Sequence, residues 1–127
     1  MVPALHSSSI VEDGRSIYLG EPCGYVIRFE DGLTIYFAGD TALFGDMRLI
    51  AELYHPRIAF LPIGDTYTMG PDQASKACEW LGVKQVVPMH YGTATLPALT
   101  GTPQRLRELV EPRGVDVIEL KPGETAT

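Results

Sequence analysis

Positive charge is scarce in this chain, cysteine nearly absent, and long apolar runs are missing altogether. Ten Lys and Arg stand against sixteen Asp and Glu, a formal net charge of −6, and the basic residues form no cluster. Phosphate backbones are gripped by concentrated positive charge, so a nucleic-acid partner is not expected. The only cysteines, Cys23 and Cys78, stand far apart and outside any C-x-x-C. They make no disulfide framework and read as thiols in a reducing compartment. No apolar stretch approaches the ~20 residues of a membrane span. The opening Met1-Val2-Pro3-Ala4-Leu5-His6 has neither the basic start nor the apolar stretch of a signal peptide. Also missing are G-x-S-x-G, G-x-x-x-x-G-K-[ST] and G-x-G-x-x-G, the anchors of serine hydrolases, P-loop proteins and dinucleotide folds. These absences predict an acidic, soluble, cytoplasmic domain with no membrane partner.

What is present suffices for one domain. The 127 residues are 45% hydrophobic and 20% charged, ordinary globular values, and no repeat or linker divides them. Cys23–Phe29 and Leu33–Ala38 are rich in β-branched and aromatic residues, and the intervening Glu30-Asp31-Gly32 suits a tight reversal, so a hairpin is predicted. Strands and helices then alternate. Leu43, Met47, Ile50 and Tyr54 fall at helical spacing, with Thr41 as the expected N-cap. Ile58–Leu61 reads as a buried strand. Ala74, Ala77, Cys78 and Leu81 mark a second helix, opened by Pro71 and closed by Gly82. Gln85–Met89 is the next strand, Thr102-Pro103 opens a third helix, and Val115–Leu120 reads as the last strand. This alternation predicts a largely parallel portion of sheet with right-handed crossovers.

In such sheets ligands gather beyond the carboxyl ends of the strands. Asp40 follows Tyr36-Phe37-Ala38-Gly39, Asp65 follows Leu61-Pro62-Ile63-Gly64, and His90 follows Val86-Val87-Pro88-Met89. His6 closes another short apolar run and precedes Ser7-Ser8-Ser9. Two imidazoles and a carboxylate brought together would suit zinc, manganese or ferrous iron. Spacing alone is a weak signal here, since no H-x-H or H-E-x-x-H occurs and a strand-end Asp is as often a cap as a ligand.

Longer matches are more specific. Leu5-His6-Ser7-Ser8-Ser9, Ala38-Gly39-Asp40-Thr41-Ala42-Leu43-Phe44-Gly45-Asp46-Met47, Phe60-Leu61-Pro62-Ile63-Gly64-Asp65, Thr68-Met69-Gly70-Pro71 and Val86-Val87-Pro88-Met89-His90-Tyr91 occur in that order. Together they resemble the metallo-β-lactamase-fold family, specifically the uncharacterised prokaryotic metal-dependent hydrolases related to L-ascorbate-6-phosphate lactonases. The resemblance covers nearly the whole chain. It implies that Asp40 is the carboxylate shared between two metals and that His6 and His90 hold one metal each. It implies hydrolysis of a small-molecule lactone, ester, amide or phosphoester by a metal-bound hydroxide, with zinc as the first expectation and manganese or iron as alternatives. Asp65 is either a partner that orients a liganding histidine or the cap of its own loop. Tyr67 and Met69 either wall a substrate pocket or pack a turn, and Ser7 to Ser9 either bind substrate or serve the loop. His55 has no counterpart in the resemblance and reads as a helix-end residue.

The likeness also exposes a gap. The family's H-x-H-x-D-H loop belongs to the first half of its αββα sandwich, and nothing ahead of His6 supplies it. Residues 1–127 therefore read as the C-terminal half of a metallo-β-lactamase-like domain, an antiparallel hairpin followed by βαβαβαβ. Three explanations are open: a piece of a longer hydrolase, one subunit of a split protein whose partner is the complementary N-terminal half, or a homodimer packing sheet on sheet. A catalytically silent interaction subunit is the alternative to an enzyme. All share one expectation, an inner apolar face covered by another sheet.

Overall fold

The β-branched and aromatic runs do become strands in a computed structural model, which describes residues 1–126. In chain order the elements are strands β1 (Val2–Pro3), β2 (Ser9–Glu12), β3 (Arg15–Tyr18), β4 (Cys23–Arg28) and β5 (Thr34–Phe37), helix α1 (Met47–Tyr54), strand β6 (Ile58–Pro62), helix α2 (Pro71–Leu81), strand β7 (Gln85–Met89), helix α3 (Pro103–Val110) and strand β8 (Asp116–Val117). A 3-10 turn at Glu111–Arg113 joins the last two. Six strands form one mixed sheet in the order β1-β4-β5-β6-β7-β8, and β2 with β3 forms a separate ribbon. β1, β4 and β5 pair antiparallel, whereas β5 through β8 run parallel. Among the described residues no helix is long and apolar enough to cross a membrane.

Strands β5 to β8 follow one another in both sequence and sheet, so right-handed crossovers put all three helices on one face. The register shows what that face carries. Val26, Tyr36, Ala59, Val86 and Val117 stand in one row across the sheet, and Tyr36, Ala59 and Val86 have no exposed surface. Met47 and Ile50 of α1, Ala74, Ala77, Cys78 and Leu81 of α2, and Leu106 and Val110 of α3 close over them. Arg48 lies 4.2 Å from the centre of the Trp80 ring, a cation–π contact between α1 and α2. One residue along each strand, the opposite row reads Tyr25, Phe37, Phe60 and Val87. Phe37 and Phe60 stack with ring centres 5.5 Å apart. This face is open to solvent: Tyr25 is 49% exposed, Ile27 42% and Phe37 39%.

Local chemistry explains most element ends. In the β4–β5 turn the Asp31 carboxylate accepts the Leu33 N–H at 2.9 Å. Pro71 occupies the first turn of α2, and Gly82 ends it at φ 66°, a left-handed conformation that costs glycine little. Thr102 caps α3 by accepting the Arg105 N–H at 3.2 Å. His55 does end α1, in the left-handed region at φ 47°.

Three expectations need correction. Thr41 does not cap α1, which begins at Met47 behind Asp46; its hydroxyl is engaged with Leu5 instead. Leu43 consequently packs on the core from the loop ahead of the helix. The last strand spans only Asp116–Val117, not Val115–Leu120. The Val86 carbonyl accepts the Ile118 N–H at 2.9 Å, but the next residue on that side of β7 is Pro88, which has no N–H to offer. The ladder stops there. Finally, the β2–β3 ribbon was not anticipated, although Asp13-Gly14 between Ile10-Val11 and Ile17-Tyr18 carries the same reversal signal as the hairpin that was.

Two outcomes follow from this one-sided core. Leu61→Ala, on the helix side with no exposed surface, should cost about 2–5 kcal/mol in denaturant melts, whereas Tyr25→Thr on the open face should cost about 1 kcal/mol or less. Burial also pushes the Tyr36 hydroxyl up from 10.0 to about 12 and the Cys78 thiol up from 9.0 to about 12. Both groups hold their protons more tightly folded than unfolded. Their contribution is therefore complete below pH 9 and is lost as pH rises toward 12, so urea midpoints should fall steadily across that window.

Candidate metal centre

The carboxyl ends of β5, β6 and β7 lie side by side, and each runs on into a residue that sequence reasoning singled out. Beyond β5, Gly39 turns the chain at φ 67°, where a side chain would stand 2.8 Å from the Cys23 carbonyl oxygen, and delivers Asp40. Beyond β6, the Ile63 N–H donates to the Met89 carbonyl and continues the ladder toward Asp65. Beyond β7, His90 takes a left-handed backbone conformation at φ 55°, as do Asp65 at 68° and Thr66 at 53°. Non-glycine residues in that region carry local strain, and such strain concentrates at working sites.

Asp40 and His90 meet. The His90 Nε2 lies 3.5 Å from Asp40 Oδ2, with the histidine side chain 24% exposed and the aspartate 49%. That separation exceeds the 2.7–3.2 Å of a well-formed N–H···O hydrogen bond. Two ligands each about 2.0–2.1 Å from a zinc ion, at the tetrahedral angle, lie about 3.3 Å apart. The pair thus has the spacing of two donors that share a cation. The other ring nitrogen, Nδ1, is buried against Gly64 and without a hydrogen-bond partner, which leaves Nε2 as the atom turned toward Asp40. Together the two residues fit as half of a ligand set.

The structure does not bring the His6 side chain into a cluster with this pair; only its backbone neighbour is tied to the Asp40 turn. Leu5, its neighbour, donates its N–H to Thr41 Oγ1 at 2.9 Å and accepts the Ala42 N–H at 2.9 Å. The His6 ring itself is engaged with the Ser7 carbonyl through Nδ1 at 2.8 Å. Among the described residues no three His, Cys, Asp or Glu side chains form a metal-sized cluster.

The remaining candidates serve their loops. The Asp65 carboxylate accepts the Thr66 N–H at 2.9 Å, and a side chain at Gly70 would meet it at 3.0 Å. This matches the capping alternative. Met69 has no exposed surface and belongs to the hydrophobic core. Tyr67 is 56% exposed. His90 also borders a groove of about 660 Å³, whose floor is Phe60, Val87 and Met89 and whose rim includes Tyr91, Glu119 and Lys121. Partial burial and the nearby Glu119 hold the Tyr91 phenol above its usual range, against the opposing pull of Arg107. Sequence reasoning missed this groove, because β8 and its tail reach β7 only through the tertiary fold.

A mixed α/β sheet with three helices on one face, and a carboxylate and an imidazole converging at its strand ends, is an arrangement compatible with the metallo-β-lactamase fold. Comparison with known proteins agrees. A family model, the beta-lactamase superfamily domain, matches residues 1–91, and the chain belongs to that superfamily. It is 51% identical over 123 residues to a UPF0173 metal-dependent hydrolase of Solibacter usitatus, covering 97% of this chain and 53% of that protein. A UPF0173 metal-dependent hydrolase of Koribacter versatilis is 52% identical over 125 residues, covering 98% of this chain and 52% of its own length. Among solved structures, Igni18, a metallo hydrolase from Ignicoccus hospitalis, superposes with a TM-score of 0.81 at 44% identity, covering 98% of this chain and 49% of that one. The chain spans about half the length of the curated relatives it matches.

Gly64 is the residue whose change should disturb this centre most directly. A methyl group there would stand 2.2 Å from the His90 carbonyl oxygen and 2.9 Å from Leu99. Gly64→Ala should therefore destabilise by about 1–3 kcal/mol and displace the His90 ring resonances in NMR spectra. Gly45→Ala, which meets nothing within 4 Å, should stay within about 0.5 kcal/mol of the parent.

Proposed function

We propose that this chain is the back half of a metal-dependent hydrolase, contributing Asp40, His90 and His6 to a divalent metal centre. The facing pair Asp40 and His90, 3.5 Å apart beyond the carboxyl ends of β5 and β7, carries the proposal. A divalent ion held there, zinc in the first instance and manganese or iron as alternatives, supplies Lewis acidity and a water acidic enough to attack near neutral pH. Asp40, with two carboxylate oxygens, would hold metal and could accept a hydrogen bond from an attacking water. His90 offers a neutral lone pair at Nε2. His6, whose neighbour Leu5 is tied to Thr41 and Ala42, would serve the second ion. Phe60, Val87 and Met89 form an apolar floor for a small substrate bearing a lactone, ester, amide or phosphoester, while Glu119 and Lys121 at the rim orient polar groups.

The open face calls for a second sheet. Tyr25, Ile27, Phe29 and Phe37, each between 39% and 49% exposed, make an apolar surface of the kind that sheets bury against each other. The relatives' additional length supports a complementary N-terminal half as the occupant, with a second copy of this chain as the alternative. The same half would bring the remaining metal donors.

Metal analysis tests the centre. About two equivalents of zinc per assembled site, lost on His90→Ala, supports the enzyme. Asp40→Asn should abolish metal-dependent turnover while leaving the thermal midpoint nearly unchanged. Assembled particles with no metal above background would replace this reading by a silent interaction subunit, which the lack of a three-donor cluster among the described residues favours. A monodisperse monomer in sedimentation at micromolar concentration would refute the covered face. Phe37→Glu should weaken whatever association forms.

A further inference from the structure

We infer that Thr41 is a positioning residue of the centre, holding the His6 segment against the Asp40 turn. The inference rests on the metal-dependent hydrolase reading and deepens it. Thr41 is polar yet has no exposed surface, and its hydrogen bonds join it to two distant stretches of chain, at Leu5 and Met69, as well as to its neighbour Ala42. Its Oγ1 accepts the Leu5 N–H at 2.9 Å and donates to the Ala42 carbonyl at 2.8 Å. Its own carbonyl accepts the Met69 N–H at 3.0 Å. The Ala42 N–H returns to the Leu5 carbonyl at 2.9 Å, so Leu5 is clamped at both backbone groups by two consecutive residues. Leu5 directly precedes His6 and Thr41 directly follows Asp40. Two side chains distant in sequence are thereby held within one residue of a common hydrogen-bonded tie.

At Leu5 itself side-chain packing adds little to this tie. The Leu5 side chain is 57% exposed and Met1 84%. The segment ahead of His6 is anchored by the buried Val2 side chain and by backbone hydrogen bonds, among them Ala4 N–H to Pro22 at 3.3 Å. A short, buried side chain that both accepts and donates is what the position demands. Valine matches threonine in shape but would leave the Leu5 N–H facing a methyl group. Serine would retain the hydroxyl.

The test uses the full 127-residue chain, with Zn²⁺ alone as the probe and the histidine ring signals of NMR spectra as the readout. In the parent, Zn²⁺ should shift the rings of both His6 and His90. In Thr41→Val the midpoint for His6 should rise about tenfold while that for His90 stays within about twofold, and Thr41→Ser should restore both. Without metal, the Leu5 amide should exchange about tenfold faster in Thr41→Val than in Thr41→Ser. An unchanged His6 midpoint in Thr41→Val, or a parent His6 ring that ignores Zn²⁺ while His90 responds, overturns the role of Thr41 and leaves the metal centre standing. A parent in which neither ring responds overturns the metal reading and this inference with it. Should Thr41→Val fail to fold, Leu5→Pro removes the same hydrogen bond from its donor side. An unchanged His6 midpoint there overturns the inference equally, and a tenfold rise supports it.

Discussion

A sheet with two apolar faces, only one of them covered, governs this molecule. Strands β5 to β8 advance in one direction across the sheet, and right-handed crossovers then leave the helices no choice of side. Tyr36, Ala59 and Val86 vanish beneath the helices, while one residue further along each strand Phe37 and Phe60 turn to the opposite face, where Val87 beside them is buried. Because side chains alternate along a strand, burying one row necessarily presents the other. The outward row is as aromatic and aliphatic as a core. The buried core and the exposed apolar row arise from the same alternation.

The centre inherits its position from that arrangement. Parallel strands end together, so Asp40 and His90 arrive at one edge although fifty residues of helix, strand and loop separate them. Close backbone approaches fix their aim. Gly39 passes the Cys23 carbonyl and Gly64 passes the His90 carbonyl at distances that exclude any side chain. Left-handed turns at Asp65, Thr66 and His90 add strain that the packed loops hold in place. The Asp40–His90 pair is thus fixed at the strand ends, while the segment carrying His6 is tied to the Asp40 turn through the hydrogen bonds of Leu5.

Much of this was legible along the chain. The β4–β5 hairpin announced itself through Asp31-Gly32, α2 through Pro71 and Gly82, and α3 through Thr102-Pro103, since each signal acts within a few residues. The candidates Asp40 and His90 were legible as strand-end residues for the same reason. Thr41 was not. It carries the composition of a helix cap, and only the arrival of Leu5 from far upstream diverts its hydroxyl to another task. The length of β8 was hidden likewise, because the missing N–H that ends it belongs to Pro88 on a neighbouring strand.

Sequence by itself determined the order of strands and helices, the turn chemistry between them and the kinds of side chain available for metal chemistry. These depend on local dihedral preference and on hydrophobic period, both written in adjacent residues. Tertiary structure alone decided which donors meet, at what separation, and which apolar face remains uncovered. Those are properties of register and crossover hand, and they come into being only when distant segments pair.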